Sequence, residues 1–380
     1  MFLALRELRY ARGRFGLMGA VVALIAILVV TLSGLSSGLV NDGVSGLKSM
    51  PVSAFAFDEG TKTDNAFSRS VVDAEQLAAW QQVDGVADAE PVGAGMVNAS
   101  LGDGTQIDLS LFGIEPGSAL APELSEGENF SSLSGVVLSE TARDEGVGLG
   151  DIITLDRVDT ELRVVGFTEG QTTFGHVDMA FLHLDTWRLI AAGAAQPGSP
   201  TQEQVDALAS ELASVIAIHA EPGGELDLAA GDASAHTSSV PLEESFNSSP
   251  GYEAETLTLS MIQVFLYAIC ALVVGAFFTV WTIQRQHELA VLRAIGASGR
   301  YLLRDSLVQA AILLVAFTGI GVAAGVGLGA AMPAGMPFAL EAGPVIIATA
   351  TTIVLGLLGA AVAVLRIIRV DPLTALGGQR

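Results

Sequence analysis

Among 380 residues there is a single cysteine, Cys270, and it lies in an apolar run. A disulfide within the chain and a Cys-based metal site are therefore both excluded. Lysine is almost as scarce: Lys48 in "GLKS" and Lys62 in "GTKT" are the only two. A Walker A loop needs a lysine ahead of Ser or Thr at the end of a glycine-spaced turn that cradles phosphates. Neither lysine has that spacing, so the chain carries no ATP-hydrolysing loop of its own. The histidines His176, His183, His219, His236 and His287 show no HExxH spacing, and no GxSxG nucleophile elbow occurs. Positive charge is short overall, with 18 Lys+Arg against 41 Asp+Glu and a formal net charge of −23. That balance argues against nucleic acid or another polyanion as a ligand.

Charge of either sign is missing from four long intervals. No Asp, Glu, Lys or Arg occurs between Arg14 and Asp42, Glu255 and Arg285, Asp305 and Glu341, or Glu341 and Arg366. Crossing a hydrocarbon core about 30 Å thick takes roughly 20 apolar residues at the helical rise of about 1.5 Å. Four membrane spans are predicted, near residues 15–38, 258–283, 306–330 and 343–365. The first has basic residues ahead of it, as a secretory signal does. Its uncharged run is longer than the roughly 7–15 residues of a signal core, so it is expected to be retained.

The remaining charge is sorted by sign. The segments before span one, between spans two and three, and after span four hold 11 of the 18 basic residues and only Glu7, Glu288, Asp305 and Asp371 as acids. Basic flanks face the cytoplasm, which puts residues 1–14 (an amphipathic segment), 285–304 and the 366–380 tail inside, in a cytoplasmic (inner) membrane. The long segment 40–255, with 7 basic and 36 acidic residues, is then outside.

That outer segment is long enough to bury a core. "GVVLSE", "DIITLD", "ELRVVGF" and "DMAFLHL" alternate as strands do, while "DAEQLAAWQQV" and "TQEQVDALASELASVI" open on capping residues and follow helical spacing. The Pro/Gly/Ser/acid-rich stretch from Glu221 to Tyr252 reads as irregular chain. The expected fold is an α-helical membrane domain of four transmembrane helices with a large α+β extracytoplasmic domain between helices one and two. The glycine run "GIGVAAGVGLG" sits inside span three. Gly321, Gly325 and Gly329 at intervals of four read as a close helix-packing face rather than a nucleotide loop.

Between spans two and three stands "TIQRQHELAVLRAIGAS", with Arg285, His287, Glu288 and Arg293 around an apolar stripe of Leu289, Leu292 and Ile295. Its residue types suit two settings equally: a ridge docked in a groove of another protein, or a helix lying on lipid.

One span, a large outer segment, then three spans with "HELAVLRAIGAS" after the second resembles the FtsX/MacB-type permeases of ABC transporters, and "GVVLSETARDEGVGLGDIITLD" followed by "LRVVGF" resembles that family's extracytoplasmic domain. "LSGLSSGL", "GYEAE", "MPAGMPF" and "VDPLTALGG" are similar to the haem-exporter (HrtB-type) permeases within it. The resemblance implies that Arg285, His287, Glu288, Leu289, Leu292 and Arg293 form a coupling helix on a separate ATPase subunit. It further implies a homodimer of this chain with two copies of that ATPase, no permanently bound cofactor, haem as the transported substrate, and ATP used by the partner.

A haem plate with two anionic propionates partitions to the membrane boundary. Glu255 is the last charged residue before span two, one turn beyond Tyr252, with Met261 further in. These three, with Gly34, Ser37 and Gly38 at the outer end of span one, are the candidate haem-site residues. Glu255 would be the possible axial ligand to the iron. Glu255 is equally explained as a solvated acid favoured by a helix N-terminus, and small residues at a helix end more commonly serve packing. Two other functions fit the same sequence: export of another amphiphile such as a macrolide, peptide or lipid, and non-transporting regulation of a cell-wall enzyme.

Overall fold

A computed structural model describes residues 12–224, 226–284, 291, 296, 298–333 and 336–368. The chain divides into two compact units, one holding the described residues up to Gly38 and from Thr256 onward, the other running Leu39–Glu255.

In chain order the elements are α1 Arg12–Ser49, β1 Ala54–Asp58, α2 Ala66–Arg69, α3 Ala74–Trp80, β2 Val86–Leu101, β3 Gln106–Ile114, β4 Leu124–Gly127, β5 Gly135–Leu138, β6 Ile152–Leu155, β7 Thr160–Thr168, β8 Thr173–Phe174, β9 Val177–His183, α4 Leu184–Ala191, α5 Gln202–Leu208, β10 Val215–Ala220, α6 Leu228–Ala235, β11 Thr237–Pro241, α7 Leu242–Ser245, α8 Tyr252–Gln284, α9 Gly299–Gly329 and α10 Ala342–Ile368.

The helical unit is built by α1, α8, α9 and α10, each long and apolar enough to cross a membrane. Phe15, Met18, Val22, Ile25 and Val29 recur on one face of α1 at three- and four-residue steps and pack into a common core with Val274 and Phe278 of α8, Leu313 and Leu314 of α9, and Val364 of α10. Close approach of the helices depends on glycine. A Cβ at Gly321 would strike the carbonyl of Ala23, and one at Gly359 the carbonyl of Ala271. The predicted packing face in span three is thus used at Gly321 and Gly325 against α1, while Gly329 lies against Phe338 and Leu340. Two buried hydroxyls in these helices bond back to their own turns, Thr282 to Phe278 O at 2.6 Å and Thr352 to Ala348 O at 2.8 Å, so burial leaves neither without a partner.

The outer unit is an eleven-stranded mixed sheet in the order β11-β1-β10-β2-β3-β9-β5-β7-β4, with β6 pairing β2 and β7 and β8 pairing β9. Among the described residues, only β3–β9 and β5–β7 pair as parallel strands. The sixteen-residue strand β2 joins the two halves, pairing β10 from Val86 to Val92 and β3 from Gly93 to Ser100. One face is closed by phenylalanines: Phe67 meets Phe55, Phe57 and Phe174 edge-on at 5.1–5.2 Å. Another cluster gathers round Trp80, whose Nε1 donates to Thr237 Oγ1 at 2.9 Å over Gly231.

The structure departs from the sequence reading in three places. Helix α1 does not stop near residue 38 but continues to Ser49, because Val44 and Leu47 are fully buried and repay the extra turns. The pattern "TQEQVDALASELASVI" splits into a seven-residue helix, α5, and the start of β10, since Val215 and Ile216 are claimed by the sheet core. The stretch after Glu221 is ordered in good part. Asp227 caps α6, and Asp232 holds Thr237 Oγ1, Ser239 N and Ser239 Oγ, fixing β11 as an edge strand along β1. Its low hydrophobicity and terminal Pro241 suit an edge.

Candidate functional site

The end of α1, the β8–β9 hairpin and the first residues of α8 converge within the outer unit. The hairpin turn is the pair Gly175-His176, flanked by the Phe174–Val177 register pair. Both turn residues have positive φ, 62° and 65°, as a two-residue turn of type I′ requires. Histidine is among the few non-glycine residues found there with any frequency, and the tight turn projects its ring from a fixed backbone.

His176 lies between two carboxylates. Its Nδ1 is 2.9 Å from Asp42 Oδ2 and its Nε2 is 3.1 Å from Glu255 Oε2. The contact to Asp42 is a hydrogen bond; the one to Glu255 lies off hydrogen-bonding alignment, and Nε2 has no other partner. A neutral imidazole donates from one nitrogen only, whereas the imidazolium donates from both. The ring and Asp42 are both about three-quarters covered, while Glu255 is 41 % exposed. Asp42 is held from its other oxygen by Gln171 Nε2 at 2.7 Å. Gly43 accepts from Gly175 N at 2.9 Å and Ser249 Oγ at 3.0 Å, and lies beneath the rings of His176 and Tyr252. Phe246 packs edge-on against Tyr252 at 6.3 Å. Met96, 43 % exposed, lies against Gly175.

Of the sequence-predicted residues, Glu255 and Tyr252 therefore share one cluster. Met261 lies further along α8, 52 % exposed. In the helical unit, Gly34 and Gly38 are packed by the loop before α10. Phe338 fills the space over Gly34, Pro337 and Phe338 close on Gly38, and Ala339 N donates to Gly34 O at 3.0 Å. Ser37, one residue before Gly38, is half-buried. The coupling residues Arg285, His287, Glu288, Leu289, Leu292 and Arg293 lie outside the described residues, as do most of the N-terminal segment and the C-terminal tail.

Sequence analysis did not single out Asp42 and took His176 only as one of five histidines without HExxH spacing. The signal available was "TTFGHVDM": a Gly-His pair between two short β-runs reads as a two-residue hairpin whose tip is the histidine. The partner carboxylates, far off in sequence, carry no such signal. Among the described residues no group of three or more His, Cys, Asp or Glu side chains is placed to hold a bare metal ion.

Next to this cluster, Asp178 is 9 % exposed and accepts from Thr141 Oγ1. Burial pushes its carboxyl above the ordinary carboxylate range, outweighing the bonds from Thr141 and Ser139, with Asp42 and Asp144 adding to the rise. A carboxyl whose folded value is raised costs stability once ionised; the cost is absent in acid and develops as pH climbs past the unfolded value near 4. Asp178→Asn is thus expected to raise the unfolding midpoint of the outer unit at neutral pH, with the gain closing as pH falls to about 4. Thermal unfolding of the two proteins across that range checks it, and a constant difference at every pH would contradict the assignment.

Residues 260–372 match the FtsX-like permease C-terminal family model. Over its full length the chain is 24 % identical across 383 residues to a putative hemin transport system permease protein HrtB of Staphylococcus haemolyticus, covering 100 % of both chains. It is 25 % identical across 379 residues to an uncharacterized ABC transporter permease of Mycobacterium tuberculosis, covering 100 % of this chain and 99 % of the other. Among solved structures, the extracellular domain of the ABC-type transporter YknZ from Gram-positive bacteria aligns with 50 % of this chain and 98 % of its own at 13 % identity and a TM-score of 0.34. The periplasmic region of MacB from Actinobacillus actinomycetemcomitans aligns with 52 % and 92 % at 11 % identity and a TM-score of 0.36.

Proposed function

We propose that the chain is an ABC transporter permease, with residues 260–372 as its FtsX-like permease C-terminal domain, and that it extracts haem from the membrane and expels it. The observation that carries this reading is the pairing of Glu255 with His176 at the first turn of α8, a donor pair suited to an iron already held by a porphyrin. The full-length likeness to hemin transport permeases supports the same substrate. A carboxylate is a weaker axial donor than the His, Cys, Met or Tyr usual for haem. Weak ligation suits a carrier, which must let its cargo go.

An ABC permease works with an ATPase partner, and here the partner supplies all ATP hydrolysis, since neither Lys48 nor Lys62 stands in a phosphate-cradling loop. In this proposal two copies of the chain join two ATPase subunits, both termini are cytoplasmic, no cofactor is permanently bound, and haem is cargo. ATP-driven closure of the partners moves the 285–304 segment; α8 and α9 carry the movement across the membrane, and the haem site narrows. The acidic outer unit then discourages an anionic plate from rebinding, an effect screened beyond about 8 Å at physiological salt.

The test is turnover of the complete complex in nanodiscs. Ferric haem should raise ATP hydrolysis several-fold and give a bound Soret band, while a macrolide should do neither. If a macrolide, peptide or lipid stimulated turnover and haem did not bind, the substrate would be another amphiphile; if nothing stimulated turnover, a non-transporting regulator would be favoured.

A further inference from the structure

A groove of about 570 Å³ runs between α9 and α10 on the outside of the helical unit. Leu303, Leu307 and Ala311 line it from α9 at four-residue steps, facing Val354, Leu358 and Ala361 of α10. From Arg300 to Ala311 the groove follows α9 for three turns, roughly 16 Å at the helical rise. Val354 and Leu358 are 53 % and 55 % exposed, so its floor is apolar and its length is open. One end differs. Arg300 and Arg304, one turn apart, close it, both are exposed, and neither is paired with an acid among the described residues. The neighbouring carboxylate, Asp305, is occupied by Gln309 Nε2 at 3.0 Å.

In water, an apolar strip of this kind beside two arginines would be an odd surface. In a bilayer it is complementary to one kind of molecule. A groove between two antiparallel helices fits a linear chain lying along them. Two guanidinium groups at the mouth match a phosphate, to which arginine presents paired donors. We propose that this groove is a binding site for an anionic phospholipid, with one acyl chain along Leu303, Leu307 and Ala311 and the headgroup phosphate on Arg300 and Arg304. Arg300 and Arg304 belong to the 285–304 segment, where four basic residues stand against one acid, and positive charge there selects the negatively charged lipid over the neutral one. The site is independent of what the permease carries and needs only that α9 and α10 cross a membrane.

The test uses the full chain with its ATPase, equilibrated in nanodiscs of phosphatidylcholine containing a minor share of phosphatidylglycerol. Lipid retained after transfer to mild detergent is then weighed by native mass spectrometry. The wild type should keep phosphatidylglycerol over phosphatidylcholine, and Arg300→Gln with Arg304→Gln should reduce that preference on the order of tenfold. Ala311→Phe, which fills the groove and leaves both arginines, should lose retention of either lipid. Equal retention of the two lipids by the wild type would overturn the proposal. So would a double variant that keeps the preference, or an Ala311→Phe protein that keeps its lipid, since charge outside the groove would then be responsible. Leu358→Cys provides the remaining check. Oxidative cross-linking between two copies through that position would show that the groove is covered by a second chain instead.

Discussion

Glu255→Ala is expected to weaken ferric haem binding about tenfold or more and to move the Soret band of what remains bound, a loss of roughly 1.4 kcal/mol or greater. Glu255 stands in the first turn of α8, where the helix dipole favours an ionised carboxylate. Its Oε2 faces His176 Nε2 at 3.1 Å without hydrogen-bonding alignment, so the carboxylate is positioned without being consumed by that contact. On the proposed reading, removing it takes away the axial donor and leaves the imidazole bonded to Asp42 alone. Affinity by itself is an incomplete measure. Haem brings two negative propionates, and deleting a nearby negative charge strengthens binding of an anion even as it removes a ligand. The Soret band separates the two effects because it reports the axial ligand directly. Tyr252→Phe and Met261→Leu should shift affinity less and leave the band in place, and Glu255→Gln, which keeps the volume and loses the charge, should resemble the alanine variant in its spectrum. An Ala variant with wild-type affinity and a wild-type spectrum would remove Glu255 from the haem site.

Much of this molecule is written locally, and the local part was legible. Four intervals free of charge translate directly into α1, α8, α9 and α10 because a bilayer filters for length and hydropathy, with little demand on tertiary detail. Strands β5, β6, β7 and β9 were visible as short alternating or apolar runs, and Asp73 announced α3 by capping Glu75 N and Gln76 N. What escaped was set by distant partners. Nothing near Ser239 indicates that Asp232 and β1 will fix β11 at the sheet edge. Val215 belongs to a helical pattern until β2 takes it into the sheet. In the candidate cluster, Glu255 and Tyr252 stood out in sequence by their position at the edge of an apolar run. Asp42 and His176 did not, since a contact between residues 134 positions apart exists only once α1 extends past Gly38 and the β8–β9 turn has formed. The small residues Gly34 and Gly38 admitted both a packing and a slot reading in sequence; within the helical unit Phe338 lies over the first and the Pro337–Phe338 backbone over the second.

Leu292→Asp is expected to abolish haem-stimulated ATP turnover, by at least about a hundredfold, while leaving the chain folded and haem bound. Leu289, Leu292 and Ile295 form the only apolar stripe in a segment otherwise marked by Arg285, His287, Glu288 and Arg293. If that stripe is the ridge held by the ATPase, an aspartate at its centre places an unpaired charge in an apolar groove, where even a neutral polar group costs about 2–7 kcal/mol without a compensating bond. The flanking charges cannot rescue it, because they fix register at the rim. A helix lying on lipid would also be weakened by the change, but in that setting the ATPase would remain attached. Two measurements on one preparation therefore separate the cases: the ATPase retained on a tagged permease, and the turnover that haem elicits. Loss of both, with the Soret band of bound haem intact, is the docking result. Full retention of the ATPase together with haem-stimulated turnover would show that residues 285–298 do not transmit the stroke.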